Sequence, residues 1–394
     1  MKKQFLPLML VAAFIGFATL GSAQTDKKEK KKEDKKEQTS TKSEKPGERK
    51  LHISDYIKVG GFINTQYEYT NQEHNDGSLA ETSAFQIRRA RLDVKGDITP
   101  MIDFRLQADF ANSPKLVDAF VRVKFCKYIN LQVGQFKIPF TLENPYSPLD
   151  LEFADNAQVI TALSGYKDVT GISSYATGRE LGAQLYGTLA EFERDGKKYP
   201  MLSYAVGVFS GCGINTKTDN MAKDIAGRIE FRPFLKDLKL TGSAYWGRYQ
   251  DENMDNLLRL RCTGGAEYKN EHLTVRGEYV WGNTGFSMYN LPTLSYTEDR
   301  MKTHGFYVVA GYWFKCGWGK CDKFSVEQKI RPVIRYDYYK KDLAADNSAS
   351  TYYSLGLDWW PEKHLQFRVS YTLRDVAKYD KLGHGFNTML SVKF

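Results

Sequence analysis

From residue 55 to the end of the chain, apolar and polar side chains alternate with a period of two, the signature of strands with one dry and one wet face. In the first strand Ile57, Val59, Gly61, Ile63, Tyr67 and Tyr69 share a face, opposite Lys58, Asn64, Gln66 and Glu68. The second sets Ala90, Leu92, Val94, Gly96 and Ile98 against Arg89, Arg91, Asp93, Lys95 and Asp97. After Thr99-Pro100 a third sets Ile102, Phe104, Leu106, Ala108 and Phe110 against Asp103, Arg105, Gln107 and Asp109. A fourth sets Val117, Ala119, Val121, Val123 and Phe125 against Asp118, Arg122 and Lys124. The same reading predicts strands near 128–137, 179–189, 200–209, 224–234, 237–249, 257–269, 272–282, 304–315, 325–339, 352–360, 364–375 and 383–394. That makes sixteen. Placing the first strand's N-terminus on the inner side sorts the connections. Links on that side are mostly short (190–199 and 315–324 excepted), whereas 71–83, 138–178, 210–223, 283–303 and 340–351 lie opposite and are long.

An even number of amphipathic strands with short links on one side and long loops on the other is the asymmetry of a transmembrane barrel. The last strand ends on an apolar residue, Phe394, after Phe386, Leu390 and Val392 on one face, and so resembles the C-terminal assembly signal of bacterial outer-membrane barrels. At the other end, Lys2 and Lys3 precede an apolar run from Phe5 to Leu20 and the small residues Gly21-Ser22-Ala23. This reads as a signal peptide over 1–23. Past Leu20 no apolar stretch reaches the roughly 20 residues of a spanning helix, so a membrane fold must be a closed sheet.

Composition fits. Mean hydropathy is -0.50, low for a helical membrane protein but expected where one strand face lines water. Aromatics are 14% of residues, enough for interfacial girdles. The net charge of +9 is concentrated at the start, because residues 25–50 alone contribute +4 and 51–394 only +3. The segment 24–54 has too few large apolar residues to bury a core and reads as a charged, disordered periplasmic segment. The exported setting makes nucleic acid a poor partner for its lysines. The expected organisation is therefore signal peptide 1–23, charged segment 24–54 and an all-β antiparallel barrel of about sixteen strands over 55–394.

Several segments carry a family resemblance. Phe85–Leu92, with its run Arg88-Arg89-Ala90-Arg91, is followed by Gly96; Leu131–Phe140 is followed by Glu143; then comes Arg179-Glu180-Leu181-Gly182. Tyr204–Gly211 is followed by Gly213, Asn215, Asp219-Asn220, Lys223-Asp224, Arg228 and Pro233. Gly311-Tyr312, Pro332–Asp337 and Phe394 complete the pattern. Together they resemble the phosphate-selective porin O and P family. The resemblance implies a sixteen-stranded outer-membrane channel, usually a homotrimer, with the long third loop folded into the lumen. It also implies a pore lined by an arginine ladder, with lysines near the constriction, and no cofactor.

The residues themselves give a mixed picture of the pore. Candidates for the lumen wall are Arg89, Arg91, Arg105, Arg122, Lys124, Arg228, Arg232, Arg259, Arg261, Arg276, Arg331, Arg335, Arg368 and Arg374. Guanidinium stays charged and can fork onto phosphate or carboxylate. The same faces carry Asp93, Asp103, Asp109, Asp118, Glu230, Glu267, Glu278, Asp337 and Asp358, so the arginines can equally pair across strands. The loop 138–178 offers the constriction candidates Glu143, Asp150, Glu152, Asp155 and Asp168, against the single base Lys167. An acidic loop facing a basic wall suits passive diffusion of small hydrophilic, anion-biased solutes better than tight phosphate binding. Two alternatives stand beside this reading: a structural or adhesion barrel plugged by its loops, and a barrel-embedded hydrolase using His272 or His364 with a nearby Ser. No His pair shows metal-ligand spacing, and no metal is expected. Cys316 and Cys321 flank a short turn where export permits a disulfide, free thiols being the other reading.

Overall fold

The computed structural model describes residues 57–73, 78–170, 178–217, 222–290, 292, 295–316 and 328–394. The signal peptide, the charged segment 24–54 and Cys321 lie outside the described residues. The chain forms one antiparallel sheet that closes on itself. Its strands are β1 (Ile57–Glu73), β2 (Leu79–Asp97), β3 (Ile102–Asp109), β4 (Lys115–Lys124), β5 (Asn130–Lys137), β6 (Arg179–Arg194), β7 (Lys197–Phe209), β8 (Asp224–Phe231) and β9 (Leu238–Tyr249), followed by β10 (Leu257–Lys269), β11 (Leu273–Asn290), β12 (Ser295–Tyr312), β13 (Phe314–Cys316), β14 (Gln328–Lys340), β15 (Ala349–Glu362), β16 (Leu365–Val376) and β17 (Gly383–Lys393). β12 and β13 both pair with β14 and form one stave broken at Trp313, so the barrel has sixteen staves.

Closure follows from the two ends of the chain. β1 pairs with β2 on one edge and with β17 on the other, from Phe62↔Lys393 to Asn71↔His384. Beyond that ladder Gly61 and Phe394 exchange two backbone hydrogen bonds of 3.0 and 3.1 Å. Among the described staves the sheet closes without a free edge to pair with a foreign strand.

The wall has the polarity of a membrane barrel. Outward side chains such as Val59, Phe85, Ile229 and Leu355 are large, apolar and exposed, while inward Asn64, Gln66, Asp103, Arg276 and Asp358 are polar and buried. That arrangement is stable only where the outside is apolar.

Three connections differ from the pattern-based expectation. β6 and β7 run on to Arg194 and Lys197, so the expected link 190–199 is a two-residue turn. Asp195 and Gly196 both have positive φ, 53° and 70°, as a tight hairpin matching the strand twist requires. The expected loop 283–303 is mostly ladder, paired from Asn283↔Lys302 to Asn290↔Ser295. β1 and β2 likewise pair as far as Glu73↔Leu79, inside the expected loop 71–83. Polar residues dominate these extensions, which stand beyond the apolar band. Hydropathy therefore marked where the apolar band ends and missed where the strand ends.

Candidate functional site: the lumen and its long loop

Leaving β5, the chain enters the long loop. Its short helix α1 (Gln158–Leu163) is too brief to be stable alone and is held by packing. Phe140, Phe153, Val159, Ile160 and Leu163 form an apolar cluster with the inward wall residues Phe209, Tyr245, Val280, Tyr307, Val309 and Val333. The loop's polar contacts go to that same inward face, opposite the exposed apolar one.

Those contacts are dense along β10 to β16. Arg261 forks onto Asp168 at 2.6 and 2.7 Å. Glu152 bridges Arg276 and Arg331, and Arg276 also lies within reach of Glu143 and Glu267. Asp358 takes both Arg331 and Arg368, and Arg368 also donates to the carbonyl of Leu151. Arg335 donates to the carbonyl of Asp155 at 2.8 Å. Acidic wall residues instead accept loop backbone amides: Leu142 donates to Glu278 at 2.7 Å and Gln158 to Asp337 at 2.9 Å. On β10, Arg259 pairs with Asp224 beside Tyr245. These arginines are buried and matched by carboxylates; none of Arg259, Arg261, Arg276, Arg331 or Arg368 is more than 3% exposed.

The wall from β2 to β7 is different. A cavity of about 730 Å³ opens against it. Its described lining carries nine Lys or Arg residues, among them Lys58, Lys95, Arg105, Arg122 and Lys137, against Asp93, Asp118, Asp150 and the terminal residue Phe394. Three wall carboxylates share five cations, with Arg105 bridging two of them. Asp93 holds Arg105 and Lys95, Asp103 holds Arg122 and Lys124, and Asp118 holds Arg179 and Arg105, at 2.6–3.2 Å. Lys137 has carbonyls instead: its ammonium donates to those of Asn144 and Tyr146. Arg91 is buried and paired with Asp109 at 2.9 Å. Arg228 pairs with Glu230 at 3.0 Å, and Arg232 donates to the carbonyl of Pro200.

One contributor here escaped the alternation. Asn64 pairs with Arg89 and Thr65 with Ile87, which leaves Arg88 as an extra residue on β2. This bulge lets Arg88 face inward beside Arg89. Arg88 donates to Gln66 at 2.8 Å and pairs with Asp155 of the loop. Two adjacent arginines in an alternating strand were the available signal, since strict alternation would put one of them in lipid.

Within the loop, Asp150 and Lys167 are exposed, whereas Glu143, Glu152 and Asp168 are buried. Desolvation in the enclosed lumen raises the Asp155 carboxyl, but Arg88, Arg335 and Arg89 outweigh it and hold it at about 2. Burial pushes Glu143 upward despite Arg276 and Arg335. Glu152 is desolvated as well, yet Arg276 and Arg331 bring it below the usual carboxylate range. Arg374 stacks over Tyr352 at 5.6 Å. For the candidate disulfide, the Cys321 half falls outside the described residues; the described free thiols are Cys126, Cys212 and Cys262.

A closed barrel of sixteen staves with a polar, charged lumen defines an outer-membrane porin, a channel rather than an enzyme. The chain belongs to the phosphate-selective porin O and P family, which it matches over residues 57–393. Among solved structures it is similar to the anion-selective porin from Comamonas acidovorans (11% identity, TM-score 0.58, covering 86% of this chain and 99% of that one). It is also similar to OmpF of Salmonella typhi in complex with daunomycin (15%, TM-score 0.55, 87% and 99%). The trimer form of OmpT from Vibrio cholerae is a further likeness (11%, TM-score 0.54, 86% and 99%). No curated protein matches the chain.

Proposed function

We propose that this porin passes small hydrophilic solutes with a modest preference for anions, along a path that follows the β2–β7 wall. The observation that carries this reading is the excess of cations facing the open cavity, where Lys95, Arg105, Arg122, Lys124 and Arg179 share only Asp93, Asp103 and Asp118. A net positive wall in a narrow aqueous space enriches anions by focusing the local field. Arg88 and Arg89 extend the positive line to the level of Asp155, where the long loop forms the constriction. Candidate pore residues on β10–β16 act differently: they anchor the loop and so set the width of the opening.

The acidic loop argues for diffusion rather than capture of phosphate. Asp150 and Asp155 are the exposed carboxylates of the loop, Glu143, Glu152 and Asp168 being buried among arginines, and among the described residues no lysine cluster faces them. The assembly is a homotrimer with outward positions such as Ile63, Phe104 and Phe110 as interface candidates. Its N-terminal side is periplasmic, and the mature chain begins at Gln24. Purified protein in planar bilayers tests the proposal. Chloride current should appear and be blocked by phosphate only weakly, at millimolar levels. Absence of conductance at any voltage would instead favour a plugged barrel, and block at micromolar phosphate would require a dedicated phosphate site.

A further inference from the structure

Charges on the outward face are sparse, and those on β12 and β14 are mostly basic and lie together. On β12, Arg300, Lys302 and His304 follow each other at every second residue, in line with the exposed Val308 and Tyr312 below them. On the neighbouring stave Lys340 lies directly across from His304, in line with the exposed Ile334 and Tyr336. Among the described residues, Lys302 and Lys340 have no carboxylate partner, and Arg300 has only a loose one, Glu298 at 3.7 Å. Beneath the cations lies an aromatic shelf: His304 contacts Tyr279 through a 3.2 Å hydrogen bond and meets the Tyr338 ring edge-on at 5.8 Å.

Side chains that point away from the lumen at this height contact lipid or other chains, and aromatic residues mark the headgroup boundary. Lys302 and Lys340, just beyond such a boundary, lack countercharge from the described residues, and Arg300 is matched only loosely. We propose that this surface binds the phosphorylated headgroup of an outer-leaflet glycolipid, with its acyl chains lying along Phe306, Val308 and Tyr336. The site's length selects the headgroup. Successive residues on one strand face are about 6–7 Å apart, so Arg300 to His304 spans roughly 13 Å. That exceeds one phosphate and suits a sugar headgroup carrying two. Lys302 and Arg300 engage one phosphate, and Lys340 the other, through charge-assisted hydrogen bonds.

The assignment rests on the proposed orientation, in which this rim faces outward, but not on ion selectivity. Native mass spectrometry of the full chain in mixed micelles reads it, with bisphosphorylated lipid A as the probe. The unmodified protein should retain the probe, and the Lys302→Gln/Lys340→Gln variant should hold it about tenfold more weakly, given the attraction each basic residue exerts on anionic headgroups. Lys302→Arg/Lys340→Arg should restore retention, and Arg248→Gln, an outward cation on β9, should leave it unchanged. Equal retention by the glutamine variant would overturn the site. Equal retention of phosphatidylglycerol or dephosphorylated lipid A would overturn the bisphosphate assignment, and displacement by equimolar inorganic phosphate would mean that the lipid is not recognised. Reversal potentials of the same variants should match the unmodified channel. A channel without anion preference would sink the proposed function and leave the lipid result readable.

Discussion

Two stretches of one barrel wall carry arginines at the same alternate spacing and use them differently. Along β10–β16 Arg259, Arg261, Arg276, Arg331, Arg335 and Arg368 meet acid or carbonyl from the loop or a neighbouring strand, and Arg276 alone lies within reach of three carboxylates. Along β2–β6 five cations share Asp93, Asp103 and Asp118, no described loop carboxylate covers them, and an open cavity stands in front. The same residue type is a structural clamp where an acidic loop lies over it and a source of field where water does. Covering, rather than spacing, decides the role.

The comparison is broken most severely by removing the shared acid of the clamp. Glu152→Ala leaves Arg276 and Arg331 buried with less countercharge, and breaking buried pairs of this kind costs roughly 3–5 kcal/mol. The loop should detach, seen as protease cleavage within 138–170 and a larger single-channel conductance, with the barrel intact. An unchanged conductance would show that the apolar cluster alone holds the loop.

A smaller effect is expected on the open wall. Arg105→Ser/Arg122→Ser removes side chains that are 30% and 41% exposed. Such wetted pairs contribute about 1 kcal/mol or less to stability. Heat resistance in detergent should therefore hold while anion preference falls. Loss of folding in this variant would mean that these pairs are as structural as those under the loop.

The smallest effect concerns pH. The Asp155 carboxyl sits at about 2, below its unfolded value, so its pairing with Arg88 stabilises the docked loop at higher pH and is lost only as pH falls through about 2. Raised Glu143 acts oppositely, since acid protonates it and relieves the burial of its charge. Conductance should thus stay level from pH 7 to 4 and change only in stronger acid. A step between pH 4 and 5 would show that another carboxylate controls the constriction.

Much of this was readable in the sequence. The closed antiparallel sheet of sixteen staves followed from period-two alternation, because a wall between lipid and water must alternate. What alternation could not show was contact between distant segments. Arg89 and Arg91 read as equivalent solvated positions, yet Arg91 is buried against Asp109 while Arg88, assigned to neither face, turns inward at a bulge. The loop's resting place did leave a trace. In Tyr307-Val308-Val309 and Pro332-Val333-Ile334 both faces are apolar, and the inward Val309 and Val333 lie in the apolar cluster with the loop. A lapse in alternation inside a charged wall thus marks where the wall is covered.

The central claim is that excess positive charge on the open wall sets selectivity. Its most direct test is the reversal potential of the unmodified protein across a potassium chloride gradient, at low and at high total salt. Screening shortens from about 30 Å at 0.01 M to about 3 Å at 1 M. The account predicts a potential of anion-preferring sign that shrinks toward zero as salt rises; a cation-preferring sign at low salt would contradict it.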